Sequence, residues 1–154
     1  MPVTTRPASP ADTNDVLRLV RHLGASFPID AAGIPIVYRE LLSDPDWEAH
    51  VAEEGDRVIG LVTIRFANAL HASGMLAAVE ELVVDAAAQG RGVGRALCER
   101  AIARARERDC RKIVVTSNRA ETDAAGFYAS VGFQEVAGTY AIFLDERTSQ
   151  PTTP

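Results

Sequence analysis

The stretch Leu82-Val83-Val84-Asp85-Ala86-Ala87-Ala88-Gln89-Gly90-Arg91-Gly92-Val93-Gly94-Arg95-Ala96-Leu97 constrains this chain more than any other. Its first three apolar residues fit a buried strand. A short loop follows, and the loop opens into a segment whose apolar residues Val93, Leu97, Cys98, Ala101, Ile102 and Ala105 recur at helical spacing. The first backbone N–H groups of a helix have no internal partner, and the helix dipole adds partial positive charge there. Glycines at 90, 92 and 94 remove side chains that would hold an anion away from those donors. Such a turn suits phosphate or pyrophosphate, and Arg91 and Arg95 can add charge to it. A tight strand-to-helix connection without a ligand would need similar glycines, so the turn alone does not decide. Two nucleotide motifs are excluded: no Gly-Lys-Ser/Thr ending follows, and the glycine spacing is not that of the dinucleotide fingerprint.

Around this junction the hydrophobic period switches in a readable order. Residues 3–6 predict a short strand. Ser9 reads as a helix N-cap with Pro10 in the first turn, and Val16, Leu17, Leu19, Val20 and Leu23 give that helix an apolar side. A second helix is expected over about 36–42, ending before Pro45. Residues 47–52 and 58–66 read as strands joined through Glu54-Gly55-Asp56, and 76–84 as a third strand broken only by Glu80 and Glu81. The long helix is expected over 92–109, a short buried strand over 112–116, and a helix over 122–131 ended by Gly132, with Phe133 placed for the contact that accompanies a glycine cap. Short strands are expected near 134–136 and 140–144. The strand–helix–strand unit around 76–116 implies parallel pairing there, and the tight turns imply antiparallel pairing elsewhere. The expected fold is one α/β domain over residues 1–146, with a mixed sheet of about six to seven strands and about four helices. Residues 147–154 read as a disordered polar tail.

Composition narrows the partners. The 154 residues are 47% hydrophobic and 24% charged, with a net charge of −5, an ordinary globular balance that offers no broad footprint for nucleic acid. Arginines gather between 91 and 111, so a local basic patch is open. Cys98 and Cys110 offer neither a zinc spacing nor a disulfide framework, and Cys98 falls on the apolar side of its helix. His22, His50 and His71 are scattered, and no metal site is implied. The first ten residues lack the apolar core of a signal sequence, and no apolar run reaches the ~20 residues of a membrane span. A reducing cytoplasm is the expected compartment, with no membrane partner.

The sequence at this point resembles the Gcn5-related N-acetyltransferases (GNAT). Their acetyl-CoA signature is Gln or Arg, two variable residues, Gly, one variable residue, then Gly or Ala, and Gln89-Gly90-Arg91-Gly92-Val93-Gly94 fits at every fixed position. Asn118 and Phe127-Tyr128, followed by Val131-Gly132-Phe133, resemble the second half of that family's cofactor site. The resemblance covers about residues 3–144, because the element order is also the family's. It implies that backbone N–H groups from about Arg91 to Ala96 bind the CoA pyrophosphate. Leu82, Val83 and Val84 would present main-chain groups to the pantetheine arm, which then acts as a substitute strand.

The resemblance also implies acetyl transfer to a primary amine, expected to be a small molecule, by direct attack in a ternary complex. A backbone N–H near Val83 is the expected oxyanion donor, and Tyr128 the general acid toward the departing thiolate. Glu80 and Glu81 are the candidates for deprotonating the amine, with water as the alternative. Alternation along a strand predicts that the two point to opposite faces. Glu80 is preferred, from its likeness to the acidic strand position of glucosamine-phosphate acetyltransferases. Asp123-Ala124-Ala125-Gly126 offers no histidine for a mechanism based on imidazole. The acceptor should be selected by the first two helices, residues 68–75 and the final strands. Arg65, Asn68 and His71 are candidates to contact the acceptor, and Glu40, Glu80 and Glu81 are compatible with a cationic amine. A protein or peptide acetyltransferase and a non-catalytic acyl-CoA-binding module are the alternatives, and a homodimer stays open.

Overall fold

The computed structural model describes residues 2–23, 29–117 and 123–144. They contain a single sheet of five strands: β1 (Val3–Pro7), β2 (Trp47–Glu54), β3 (Arg57–Ala69), β4 (Gly74–Val84) and β5 (Lys112–Val115), in spatial order β1-β2-β3-β4-β5. The first three pairings are antiparallel, and β4 and β5 are parallel. Four α-helices accompany them: α1 (Thr13–Val20), α2 (Gly33–Ser43), α3 (Val93–Glu107) and α4 (Ala124–Val131). The mixed α/β fold is the expected one, with five strands among the described residues where about six to seven were expected.

The difference lies after α4. Tyr140, Ile142 and Leu144 alternate as a strand would, yet residues 134–144 are irregular. Val136, Tyr140, Ile142 and Leu144 are 70%, 100%, 85% and 94% exposed. Alternation marks a side-chain pattern that fits a sheet, but the tertiary context decides whether a strand forms. The expected tail, 147–154, lies outside the described residues.

Two apolar clusters cover the two faces of the sheet. On one face, α3 lays Val93, Leu97, Ala101 and Ala105 against Ile59, Val62, Ile64 and Phe66 of β3 and Ala77 and Val79 of β4. Burial of this set at ~25 cal/mol per Å² is the main force that fixes the helix on the sheet. Gly60 allows the close approach, since a Cβ there would lie 2.9 Å from Leu97 Cδ1. On the other face, Val16 and Leu19 of α1 and Tyr38 of α2 pack on Ala49, Val51, Val58, Leu61 and Val83.

The helix ends follow local chemistry. Ser9 and Asp12 form a capping box around a 3₁₀ turn at Pro10–Asp12 that leads into α1. The second helix begins earlier than expected, at Gly33, because Pro35 sits in its first turn, where a missing N–H costs nothing. Gly132 ends α4 at φ 110°, the Phe133 N–H donates to the Tyr128 carbonyl at 2.9 Å, and the two rings meet at 5.7 Å. Cys98 is a buried thiol of the first cluster's helix, and burial pushes it up to about 11. No helix among the described residues is long and apolar enough to cross a membrane.

Candidate active site

The site is built where β4 runs past its last neighbour. The fifth strand stops at Val115, opposite Val79, while the fourth continues to Val84 with only β3 beside it. Glu80, Glu81, Leu82, Val83 and Val84 therefore have one edge that no strand covers among the described residues. Beyond Val84 the chain turns at Asp85, whose carboxylate accepts from the Ala87 N–H at 3.2 Å, makes a 3₁₀ turn over Ala86–Ala88, and enters the glycines.

The three glycines do different work. Gly90 and Gly92 have φ of 75° and 81°, and a Cβ on either would meet nothing within 4 Å. They open the turn and hold backbone that side chains resist. Gly92 is the N-cap of α3, and no side chain caps that end. The Ala96 N–H already donates to the Gly92 carbonyl at 3.0 Å, so the expected donor set ends at Arg95 rather than Ala96. Gly94 faces protein instead: a Cβ there would lie 3.3 Å from Phe127 Cζ. Its role is to let α4 dock, and the docking carries Tyr128 along. Gln89, Arg91 and Arg95 are exposed around the turn. Arg91 donates to Glu54 at 2.7 Å, and Arg95 to the Ser130 carbonyl of α4 at 2.9 Å.

The cluster that anchors this loop was not singled out in the sequence. Asp85 accepts from Arg18 of α1 at 2.8 Å and from Arg57 of β3 at 2.9 Å, and Arg18 also donates to the Val58 carbonyl at 2.7 Å. The Ala87 N–H, together with the two guanidiniums, holds the Asp85 carboxyl below its ordinary range. An Asp just before three alanines is a turn-capping signal, but its partners lie 67 and 28 residues away.

Glu80 and Glu81 occupy a β-bulge. Thr63 pairs with Glu81 and Ile64 with Val79, so Glu80 has no partner across the ladder. The expectation that the two carboxylates point to opposite faces fails for this reason: an extra residue breaks the alternation. Their partners are Arg65 and Thr63, two residues apart on one face of β3. Arg65 donates to Glu80 at 3.2 Å on the exposed side, and Thr63 donates its hydroxyl proton to Glu81. Burial, reinforced by Glu80 and opposed by the Thr63 hydroxyl, raises the Glu81 carboxyl above its usual range.

Tyr128 is half-buried between Phe127 and Phe133, with ring centres 5.2 and 5.7 Å away, both edge-on. Asn118 lies outside the described residues. Of the histidines, His50 is buried in an ion-pair cluster beneath α3, while His22 and His71 are exposed. The basic patch left open by the sequence is largely neutralised, since Arg91, Arg95, Arg104 and Arg108 each pair with a glutamate.

Residues 18–133 match the family described as Acetyltransferase (GNAT). The chain belongs to that family. Glucosamine 6-phosphate N-acetyltransferase 1 of Oryza sativa subsp. japonica is 42% identical over 62 residues, 40% of this chain and 36% of that protein. The match thus spans well under half of that curated relative. Among solved structures, a transcriptional regulator from Bacillus halodurans C-125 is 25% identical with a TM-score of 0.86, covering 93% of this chain and 100% of that one. Glucosamine-6-phosphate N-acetyltransferase from Arabidopsis thaliana superposes with a TM-score of 0.80 over 94% of this chain and 100% of that one. At 17% identity, that likeness concerns the fold alone. GNAT acetyltransferases use acetyl-CoA as co-substrate, a molecule with both an anionic pyrophosphate and an amide-rich arm. The anion suits the helix N-terminus, and the amide-rich arm suits an open ladder.

Proposed function

We propose that this GNAT protein is an acetyl-CoA-dependent N-acetyltransferase that acetylates a primary amine of a small molecule in a ternary complex. The observation that carries the reading is the uncovered end of β4 running directly into the open, uncapped N-terminus of α3. Backbone N–H groups from Arg91 to Arg95 take the pyrophosphate, and the free edge at Leu82, Val83 and Val84 takes the pantetheine amides. The amine nitrogen attacks the thioester carbonyl, with an N–H near Val83 supporting the oxyanion. The C–N bond forms, the C–S bond breaks, and the amine proton passes to a carboxylate. Tyr128 supplies the proton that turns the departing thiolate into the CoA thiol, and solvent restores it.

Between the two acidic residues the preference moves from Glu80 to Glu81. Glu80 is exposed and tied to Arg65, whereas Glu81 is half-buried with its affinity for a proton raised, the direction a base near neutral pH requires. The likeness to glucosamine 6-phosphate acetyltransferase makes an amino-sugar phosphate the first acceptor to try.

Thiol release from acetyl-CoA across amino-sugar phosphates, amino acid derivatives, polyamines and short peptides tests the assignment. Turnover on a small amine is expected. Tight CoA binding with no turnover on any member would replace the enzyme with a binding module, and turnover on peptides alone would make the substrate a protein. Tyr128→Phe is expected to cut kcat roughly 100-fold, the lower end for losing a general acid, with little change in the Kd of acetyl-CoA. An unchanged kcat removes Tyr128 from that role.

A further inference from the structure

The bulge that displaces Glu80 also breaks the local ladder, and the Glu81 N–H donates instead to the Thr63 side chain, Oγ1, at 3.0 Å. A threonine hydroxyl has one proton to give and two lone pairs to accept with. With a lone pair committed to the Glu81 N–H, the proton is directed to Glu81 Oε2. Thr63 is 4% exposed, so water does not compete for either bond. The same residue is thereby held twice, at its main chain and at its carboxylate. Glu81 lies on the face of the sheet that carries α1 and α2, as its alternation with Val83 requires.

We propose that Thr63 is the positioning residue of the acceptor base: its hydroxyl fixes the Glu81 carboxylate in one rotamer, leaving Oε1 to accept the amine proton. The inference rests on the reading of Glu81 as that base. The hydroxyl also favours the ionised carboxylate, since a hydrogen bond to the charged form stabilises it. It therefore offsets the burial and the neighbouring Glu80 charge, both of which favour the neutral acid. Among the described residues, the surrounding charges leave Thr63 as the group that acts in this direction. Arg65 of β3 is engaged by Glu80. Asp15 and Arg18 of α1 pair with each other, and Arg18 with Asp85 at the far end of β4. Arg39 and Glu40 of α2, and Lys112 of β5, are exposed.

The test is the pH profile of kcat/KM for the intact protein with acetyl-CoA and the best amine of the panel. In Glu81→Gln the rate is expected to fall roughly 100-fold and the acidic limb to disappear. In Thr63→Val the limb is expected to move to higher pH, lowering kcat/KM on the acidic side roughly tenfold, with the KM for acetyl-CoA unchanged. Thr63→Ser keeps the hydroxyl and should return the limb to its place. Should valine prevent folding, Thr63→Ala removes the same hydroxyl from a smaller side chain. An unmoved limb in a folded variant that lacks the hydroxyl overturns the role of Thr63 while Glu81 remains the base. A normal rate and limb in Glu81→Gln overturns the base reading, and this inference with it.

Discussion

Replacing Gly92 by valine is expected to weaken acetyl-CoA binding by roughly three orders of magnitude while the protein still folds. Two properties of the position produce this split. Its φ of 81° lies in the left-handed region, where an L-residue costs roughly 1–2 kcal/mol and a β-branched one is an outlier. That cost lowers the melting temperature but is small against the ~5–15 kcal/mol of a typical domain. The space in front of the position is open, with nothing within 4 Å of a Cβ, so no clash with protein adds to it. An isopropyl group there stands before the N–H groups of the first turn of α3. Losing two hydrogen bonds to a charged group, at ~1.5–3 kcal/mol each, removes about 4 kcal/mol and gives the expected change in Kd. Isothermal titration with CoA, beside a thermal melt of the free protein, separates the two effects. A folded variant with the original affinity would take the pyrophosphate away from this turn.

The same turn illustrates what was legible in the sequence. The strand, the glycines and the amphipathic helix are coded by near neighbours: apolar runs, a period of 3.6, residues without Cβ. Local caps were equally plain, as the Ser9 start and the Gly132-Phe133 end demonstrate. The division of labour among the glycines was not. Gly94 looks like its companions until α4, more than thirty residues later, brings Phe127 against it. The acidic pair fared worse, because period-two alternation holds only where the ladder is unbroken. Nothing in Val79-Glu80-Glu81-Leu82 announces the extra residue. Its signature is a register shift between β3 and β4. Asp85 could be read as a turn cap but not as the meeting point of Arg18 and Arg57. Residues 134–144 carry a strand's alternation, yet they take no strand conformation.

Glu48→Ala is expected to destabilise the protein by roughly 3 kcal/mol at neutral pH and to flatten its acid unfolding limb, leaving CoA affinity nearly unchanged. Glu48 of β2 lies beneath the C-terminal half of α3, away from the glycine turn. Arg104 grips both its oxygens, at 2.9 and 2.8 Å, and Arg108 reaches it at 3.6 Å while resting over the Phe66 ring. His50 Nε2–H donates to it at 2.9 Å, and Arg100 donates to His50 Nδ1 at 3.4 Å, an arrangement that requires the neutral imidazole. Burial pushes the Glu48 carboxyl up, but the Arg104 and His50 bonds outweigh it and bring it down to about 2. A carboxylate depressed in the folded state contributes stability that is complete above its ordinary value of 4.5 and is lost as pH falls toward 2. Burial holds His50 below its ordinary 6.5, against the pull of Glu48. The unfolded chain therefore takes up a proton there first, and stability also declines as pH falls below that value. Both groups thus act in the same direction. Alanine at 48 removes the first contribution outright and leaves Arg104 under α3 with Glu107 as its remaining glutamate partner. Denaturant midpoints measured from pH 7 down to pH 3 should fall steeply in the parent and more gently in the variant. Parallel slopes would mean that Glu48 titrates alike in both states, and that α3 is held to the sheet by its apolar side alone.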